Sequence, residues 1–281
     1  MKLGVYAGLS NDEYHSGEGV SKSQLDLVNG APGLMKWSKG APEHHEDSDA
    51  SNIGTALHSM ILEPHLFDEQ YVVAPDVDKR TTSGKVEWAN FEASIEGLDR
   101  QIITSKDWDK LRYMRDSVMA HPDANALLSA PKGRAEHSVY WIDEETGILC
   151  RCRPDWWPSP RIILDVKSTE KADSYNFSKS IADYRYHVQD AFYTDGVSAA
   201  TGRQVEHFFF LAIGKTRAMG KYPVHLFELD PEDKHQGRID YKKNLRTVLQ
   251  CQNEDNWPGI ESIRLPAYAR TNQNQYSEYE Q

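Results

Sequence analysis

Arg161-Ile162-Ile163-Leu164-Asp165-Val166-Lys167 is the stretch that decides how this 281-residue chain is read. An apolar run, two of its residues β-branched, leads into an acid and a base, as in a strand that is buried along its length and polar at one end. Positions i and i+2 of a strand share a face, so the Asp165 carboxylate and the Lys167 ammonium project together. Two strands are predicted ahead of it, over residues 135–142 and 148–153, joined by the hairpin loop Asp143-Glu144-Glu145-Thr146-Gly147. After it the pattern predicts a helix over 183–200, strands over 205–213 and 224–229, and a helix from Pro231 to about Cys251.

Toward the N-terminus the signals are mostly helical. Ser21 caps a helix with Gln24 at the capping-box position, and Gly30, Pro32 and Gly33 close it. A second helix begins near Gly54, carries Ala56, Leu57, Met60 and Ile61, and ends at Pro64. Residues 71–74 read as a short strand. Residues 84–129 read as helical, with Ser105 capping a segment that Pro122 ends. The polar stretch 43–51 is expected to be a mobile loop, and the tail after Pro266 to be disordered. The succession implies an α/β fold, a central mixed sheet flanked by helices. It forms one domain over residues 1–265, followed by a polar tail over 266–281.

Composition sets outer limits. No apolar run approaches the length of a membrane span, and the first residues lack the apolar core of a signal peptide. A cytoplasmic location without a membrane partner is therefore expected. Three cysteines, Cys150, Cys152 and Cys251, cannot form a disulfide framework and fit a reducing compartment. Cys150 and Cys152 alternate along a strand and read as small buried side chains rather than metal ligands. The net charge of −11 opposes loose, charge-driven binding to nucleic acid. It does not fix the field inside a single groove.

The chemistry concentrates around Asp165 and Lys167. Asp155 follows the strand Cys150-Arg151-Cys152-Arg153-Pro154, Glu136 lies at the start of the preceding strand, and His58 sits on the helix led by Gly54-Thr55-Ala56-Leu57. Two aspartates meeting at one strand edge repel each other unless a cation holds them. Hard carboxylate oxygens suit Mg²⁺, and an imidazole among them shifts the balance slightly toward Mn²⁺. Such a cation lowers the pKa of a bound water and neutralises charge on a phosphate. Lys167 is placed to orient the water or help deprotonate it. On the following helix Gln189 and Tyr193 are i, i+4 and share a face. Contacts to nucleic-acid phosphates are expected from Ser21, Lys22 and Ser23 at a helix start and from Arg151 and Arg153 on the strand before Asp155. Lys215, Arg217 and Lys221, between two later strands, form a second candidate group. Taken singly, each of these residues also has an ordinary structural reading: a cap, a surface ion pair, a packed histidine.

In this order His58, Glu136, Asp155, Asp165-Val166-Lys167 and Gln189-x-x-x-Tyr193 resemble the PD-(D/E)XK nuclease site in its RecB-like form. The stretches YHSGEGVSKSQLD, GTALH, ETGILCRCRPD, DVKST and DYRYHVQDAFYTDG look closer still to the nuclease domain of the RecE (exonuclease VIII) family, in a free-standing, phage-type version. The resemblance implies a PD-(D/E)XK core and a 5′-to-3′ exonuclease that digests linear double-stranded DNA. Its product would be 3′ single-stranded tails for recombination. It implies metal binding by His58, Asp155, Asp165 and the carbonyl of Val166, with Mg²⁺ expected and Mn²⁺ able to replace it. Lys167 would activate the water, Glu136 would support a second metal or the water, and Gln189 and Tyr193 would assist. A ring-like homotetramer and a RecT-type single-strand annealing partner are also implied. Three cysteines exclude the four-cysteine iron–sulfur cluster of some RecB-like nucleases. The competing expectations are a non-catalytic DNA-end-binding scaffold and a nuclease of other polarity.

Overall fold

The structure, a computed structural model, describes residues 2–42, 49–266 and 270, with the backbone alone for 49–52. Chain order begins with β1 (Gly4–Tyr6), then helices α1 (Asn11–Ser16), α2 (Lys22–Gly30), α3 (Pro32–Gly40), α4 (Asp49–Leu62) and α5 (Pro64–Gln70). Next come β2 (Tyr71–Val73), α6 (Thr82–Ile95), β3 (Gln101–Ile103), α7 (Ser105–Ala120) and α8 (Pro122–Leu128). The strand-rich part holds β4 (Arg134–Ala135), β5 (Ser138–Ile142), β6 (Leu149–Cys152), β7 (Trp156–Ser159) and β8 (Ile162–Thr169). It is followed by α9 (Ser174–Asp183), α10 (Tyr186–Thr201), β9 (His207–Gly214), β10 (Val224–Glu228) and α11 (Pro231–Glu254).

The main sheet has the order β10-β9-β8-β7-β4, with β8 and β9 parallel and the other neighbours antiparallel. β8 is central, and its sequence says why. Ile163 faces one core with Phe208, Phe210 and Ala212 of β9, beneath α10 and α11. Leu164 and Val166 face a second core with Leu211 and Ile213, against α4, α5, α7 and α8. Strands apolar on both faces belong in the middle of a sheet covered on both sides. β1, β5 and β6 form a separate three-stranded sheet, and β2 and β3 pair in parallel. No helix among the described residues is long and apolar enough to cross a membrane.

Several expectations need correction. The strand expected over 135–142 is two strands in different sheets, broken at Glu136, whose φ of 49° is left-handed. β7 falls outside the expected strands, because the proline of Trp156-Trp157-Pro158 lowers the strand signal there. α9 likewise lies outside the expected helices. Thr104, not Ser105, caps α7, by accepting from the Asp107 N–H. α4 begins at Asp49 rather than near Gly54. Of the loop expected over 43–51, residues 49–51 are therefore helical, and 43–48 lie outside the described residues. So does nearly all of the tail after Pro266. Ser21 does cap α2, with a full capping box to Gln24, and Cys150 and Cys152 are buried in the first core.

Two close approaches set the frame around Asp155 and Gln189. A side chain at Gly133 would collide with the indole of Trp156. That indole donates to the Leu127 carbonyl at 2.9 Å, fixing the start of β7 against α8. Gly237 lets α11 lie against the His187 carbonyl, within a distance that no Cβ allows. This seats the first turn of α10.

Candidate active site

Asp165 and Lys167 project from β8 as their spacing requires. Lys167 Nζ lies 2.7 Å from Asp165 Oδ2, and Gln189 Nε2 donates to Asp165 Oδ1 at 2.6 Å. Asp155 is brought alongside by the β7–β8 pairing of Trp156 with Leu164. Its Oδ2 accepts from the Val166 N–H at 2.7 Å and stands 3.6 Å from His58 Nδ1 on α4. Glu136 sits at the break between β4 and β5, where its N–H donates to the Asp155 carbonyl at 3.1 Å. A left-handed, non-glycine residue at such a place is backbone strain held by its surroundings, a common feature of functional sites.

Three ligand groups converge. His58, Glu136 and Asp155 each offer an atom within 4.8 Å of the others. Asp165, expected in that set, is instead held from one oxygen by Lys167 and from the other by Gln189. Val166, whose carbonyl was the expected fourth ligand, gives its N–H to Asp155. Two carboxylates and an imidazole converging within 4.8 Å, beside the buried carboxylate of Asp165, are a donor set that fits a hard divalent cation.

The electrostatics point the same way. Burial, then the Asp155 carboxylate, pushes Glu136 up to about 9. Burial also raises Asp165 to about 6 despite Lys167, with Asp155 adding to the rise. Burial works against the Lys167 ammonium, but Asp165 and Asp155 outweigh it and hold the group charged, above its ordinary range. Carboxyls crowded until they resist ionisation are a standing demand for positive charge.

Two clefts meet here. One, of about 1010 Å³, is bordered by His58, Glu63, Glu136, Ser168, Tyr184 and Tyr186. The other, of about 1060 Å³, runs past Tyr14, Ser21, Lys22, Ser23 and Tyr193. Both include Asn11, Glu136 and Arg153. Tyr193 lies at the second cleft with its ring edge-on to Phe208 at 6.3 Å. It shares the helix face of Gln189 without joining the carboxylates.

The expected phosphate contacts are placed differently from one another. Arg151 and Arg153 are only 3% and 8% exposed. Arg151 donates to the carbonyls of Tyr14, His15 and Gly17. Arg153 reaches Ser138 Oγ, Asn11 Oδ1 and the Leu9 carbonyl. They pin α1 to the sheet, so phosphate binding by either is not what their geometry offers. Lys22 pairs with Asp26 at 2.7 Å and donates to the Tyr184 carbonyl, and Ser21 is occupied by its capping box. Ser23 is exposed. Lys215 and Arg217 lie beyond the end of β9, with Lys215 N–H on the Thr169 carbonyl, past the carboxylates rather than over them.

Two residues escaped the sequence reading. Glu63, ahead of α5, raises the Glu136 pKa through its charge; it lies just before Pro64, where only a helix break was signalled. Tyr186 places its ring 4.9 Å from Lys167 Nζ; it sits within the stretch that carried Gln189, but no spacing rule tied it to the lysine.

No curated protein matches the sequence. Among solved structures, a chain from Eubacterium rectale provisionally described as an exonuclease shares the fold, with a TM-score of 0.58 at 13% identity. That likeness covers 93% of this chain and 96% of the other. An alkaline exonuclease from Laribacter hongkongensis matches over 72% of this chain and 97% of its own at 13% identity, but with a TM-score of only 0.28. The family model for a PDDEXK-like domain of unknown function (DUF3799) matches residues 23–265, from the first turn of α2 to beyond α11 and across every residue of the carboxylate cluster. The chain belongs to that PDDEXK-like family.

Proposed function

We propose that this protein is a divalent-metal-dependent exodeoxyribonuclease that digests linear double-stranded DNA from its 5′ ends, leaving 3′ single-stranded tails for strand annealing. The observation that carries the hydrolytic part is the convergence of His58, Glu136 and Asp155 beside the Asp165–Lys167 pair. The 5′ polarity, the duplex substrate, a ring-like homotetramer and a RecT-type annealing partner rest on the resemblance to the RecE family.

His58, Glu136, Asp155 and Asp165 would hold the cation, which when bound supplies a more acidic water and charge neutralisation at the phosphate. The chain's own part is positioning. Asp165 fixes Lys167 Nζ, and Gln189 fixes Asp165 from the other oxygen. The Lys167 ammonium, kept charged by its carboxylates, donates to the attacking water or to a phosphate oxygen. There it aligns the one and balances the charge of the other. Asp155, tied through Oδ2 to the backbone of Val166, is held in place beside His58.

The deciding experiment uses end-labelled linear duplex alongside closed circular DNA, with Mg²⁺ or Mn²⁺ and with chelator. Release of label from 5′ ends first, sparing of the circle and silence in chelator are expected. Cutting of the circle, or release from 3′ ends first, overturns the exonuclease mode or its polarity. No hydrolysis of any DNA with either metal would leave a non-catalytic DNA-end-binding scaffold.

A further inference from the structure

A column of aromatic rings rises from the sheet beside the carboxylates and ends open at the cleft. Its base is Phe210, fully buried and in register with Asp165 across β8 and β9. Tyr186 stacks on Phe210 at 5.7 Å and 26° between planes. Tyr184 stacks on Tyr186 at 5.5 Å and 24°. Tyr184 is 62% exposed, and both tyrosines border the cleft that holds His58 and Glu136. Beneath the column's open end lie cations: Lys167 and Lys22 approach the Tyr186 ring at 4.9 and 5.9 Å.

The stacking is built in from residues around it. Two tyrosines at i and i+2 would not stack on a regular helix, whose 3.6-residue period separates them. Here Tyr184 lies just past the end of α9 and Tyr186 opens α10, and Arg185 between them takes a left-handed φ of 52°. That conformation is anchored: Arg185 donates to Asp26 Oδ1 and to Asn244 Oδ1, each at 2.8 Å. Lys22, paired with the same Asp26, donates to the Tyr184 carbonyl. A strained residue gripped this firmly commonly marks a ligand clamp.

We propose that the outer face of Tyr184 continues the column by stacking an unpaired nucleobase of the strand held at the carboxylates. This rests on the nuclease reading and adds a binding subsite to it. Aromatic faces accept every base alike and need no hydrogen-bond pattern, so the contact is indifferent to sequence. A base inside a duplex has both faces covered by its neighbours. Only a base freed from the stack can join the column, so the subsite selects a frayed or single-stranded terminus over intact duplex. Tyr175 shows the contrast: it is 68% exposed, but its ring is already covered by Lys179 at 4.1 Å, and it borders neither cleft.

The test is binding of short single-stranded DNA in Ca²⁺, with a single abasic residue moved along the strand. Wild type is expected to bind about tenfold more weakly when the abasic residue reaches one position. Tyr184→Ala should bind at that weaker level whether or not the base is present, while Tyr184→Phe and Tyr175→Ala behave as wild type. A Tyr184→Ala protein that keeps the wild-type dependence on that base overturns the subsite. So does a Tyr184→Phe protein that behaves like Tyr184→Ala, since the ring would then not be the contact. Cleavage separates this failure from that of the nuclease reading. A wild type that digests linear DNA while Tyr184→Ala binds identically loses only the subsite. A wild type that digests no DNA in Mg²⁺ or Mn²⁺ loses both.

Discussion

Two buried polar clusters lie close together, one at the end of β6 and one around β8, and they differ in how fully their charges are met. Around Arg151 and Arg153 the donors find carbonyls and an amide of the N-terminal segment and the Ser138 hydroxyl, with only Arg151 Nε left over among the described residues. Around Asp165 and Glu136 the balance fails: a single ammonium, Lys167, serves the buried carboxyls, and both Glu136 and Asp165 are raised by burial and by the charge of Asp155. Charge and burial are common to both. A saturated cluster holds a fold together, and an unsaturated one is poised to take something from outside.

The largest expected effect tests the unsaturated side. Asp165→Asn keeps the volume and an acceptor for Gln189 but removes the charge that fixes Lys167. Nuclease activity should fall by about 10³-fold or more, and the melting temperature should not fall. Digestion of linear duplex at the wild-type rate, assayed with Mg²⁺ and with Mn²⁺, would break the comparison on its functional side.

The sequence carried the two halves of the comparison unequally. β8 was legible because its apolar run and the i, i+2 spacing of Asp165 and Lys167 are local properties. Asp155 and His58 followed from order and context, and the structure brings them to one point. The arginines misled, because a strand arginine before an acidic site looks the same whether it faces phosphate or a folded-back helix. What separates the cases is the position of the Tyr14, His15 and Gly17 carbonyls, far away in the chain. Glu136 is legible as a site residue but not as a break in the strand, since a left-handed turn leaves no trace in a non-glycine letter. The ring column needed the left-handed Arg185, equally silent in the letters.

Arg151→Met tests the saturated side. It leaves the carbonyls of Tyr14, His15 and Gly17 without their donor in a buried setting. A destabilisation of about 3 kcal/mol is expected, a fall of about 5–10 °C in melting temperature for a chain of this size. The salt dependence of DNA binding should not change, because no phosphate contact is lost. A variant of wild-type stability whose binding loses about one unit of slope against log salt would show the arginine reaching a phosphate instead.

Asp190 sharpens the comparison with the smallest effect, because it is unsaturated yet shut away from both clefts. It lies on α10 beside Gln189, 1% exposed, with Oδ2 lacking a hydrogen-bond partner and Lys234 at 3.9 Å. Burial pushes it up to about 7, with Lys234 working in the opposite direction. Its folded-state pKa is thus above its unfolded value. The stability linked to the protonated form is complete below the ordinary carboxylate range and is lost as pH rises through about 7. Asp190→Asn imitates the protonated carboxyl at every pH. Thr194 can still donate to its oxygen, and Lys234 keeps Glu228 at 2.9 Å. The variant should therefore gain on the order of 2 kcal/mol over wild type at pH 8, a gain that shrinks toward zero at pH 4. Nuclease activity should stay within about twofold. Thermal melts at the two pH values decide it. Equal gains at both, or a loss at pH 8, would mean that Lys234 satisfies Asp190 as a charged partner, and that an unmet buried oxygen does not by itself mark an unsaturated site.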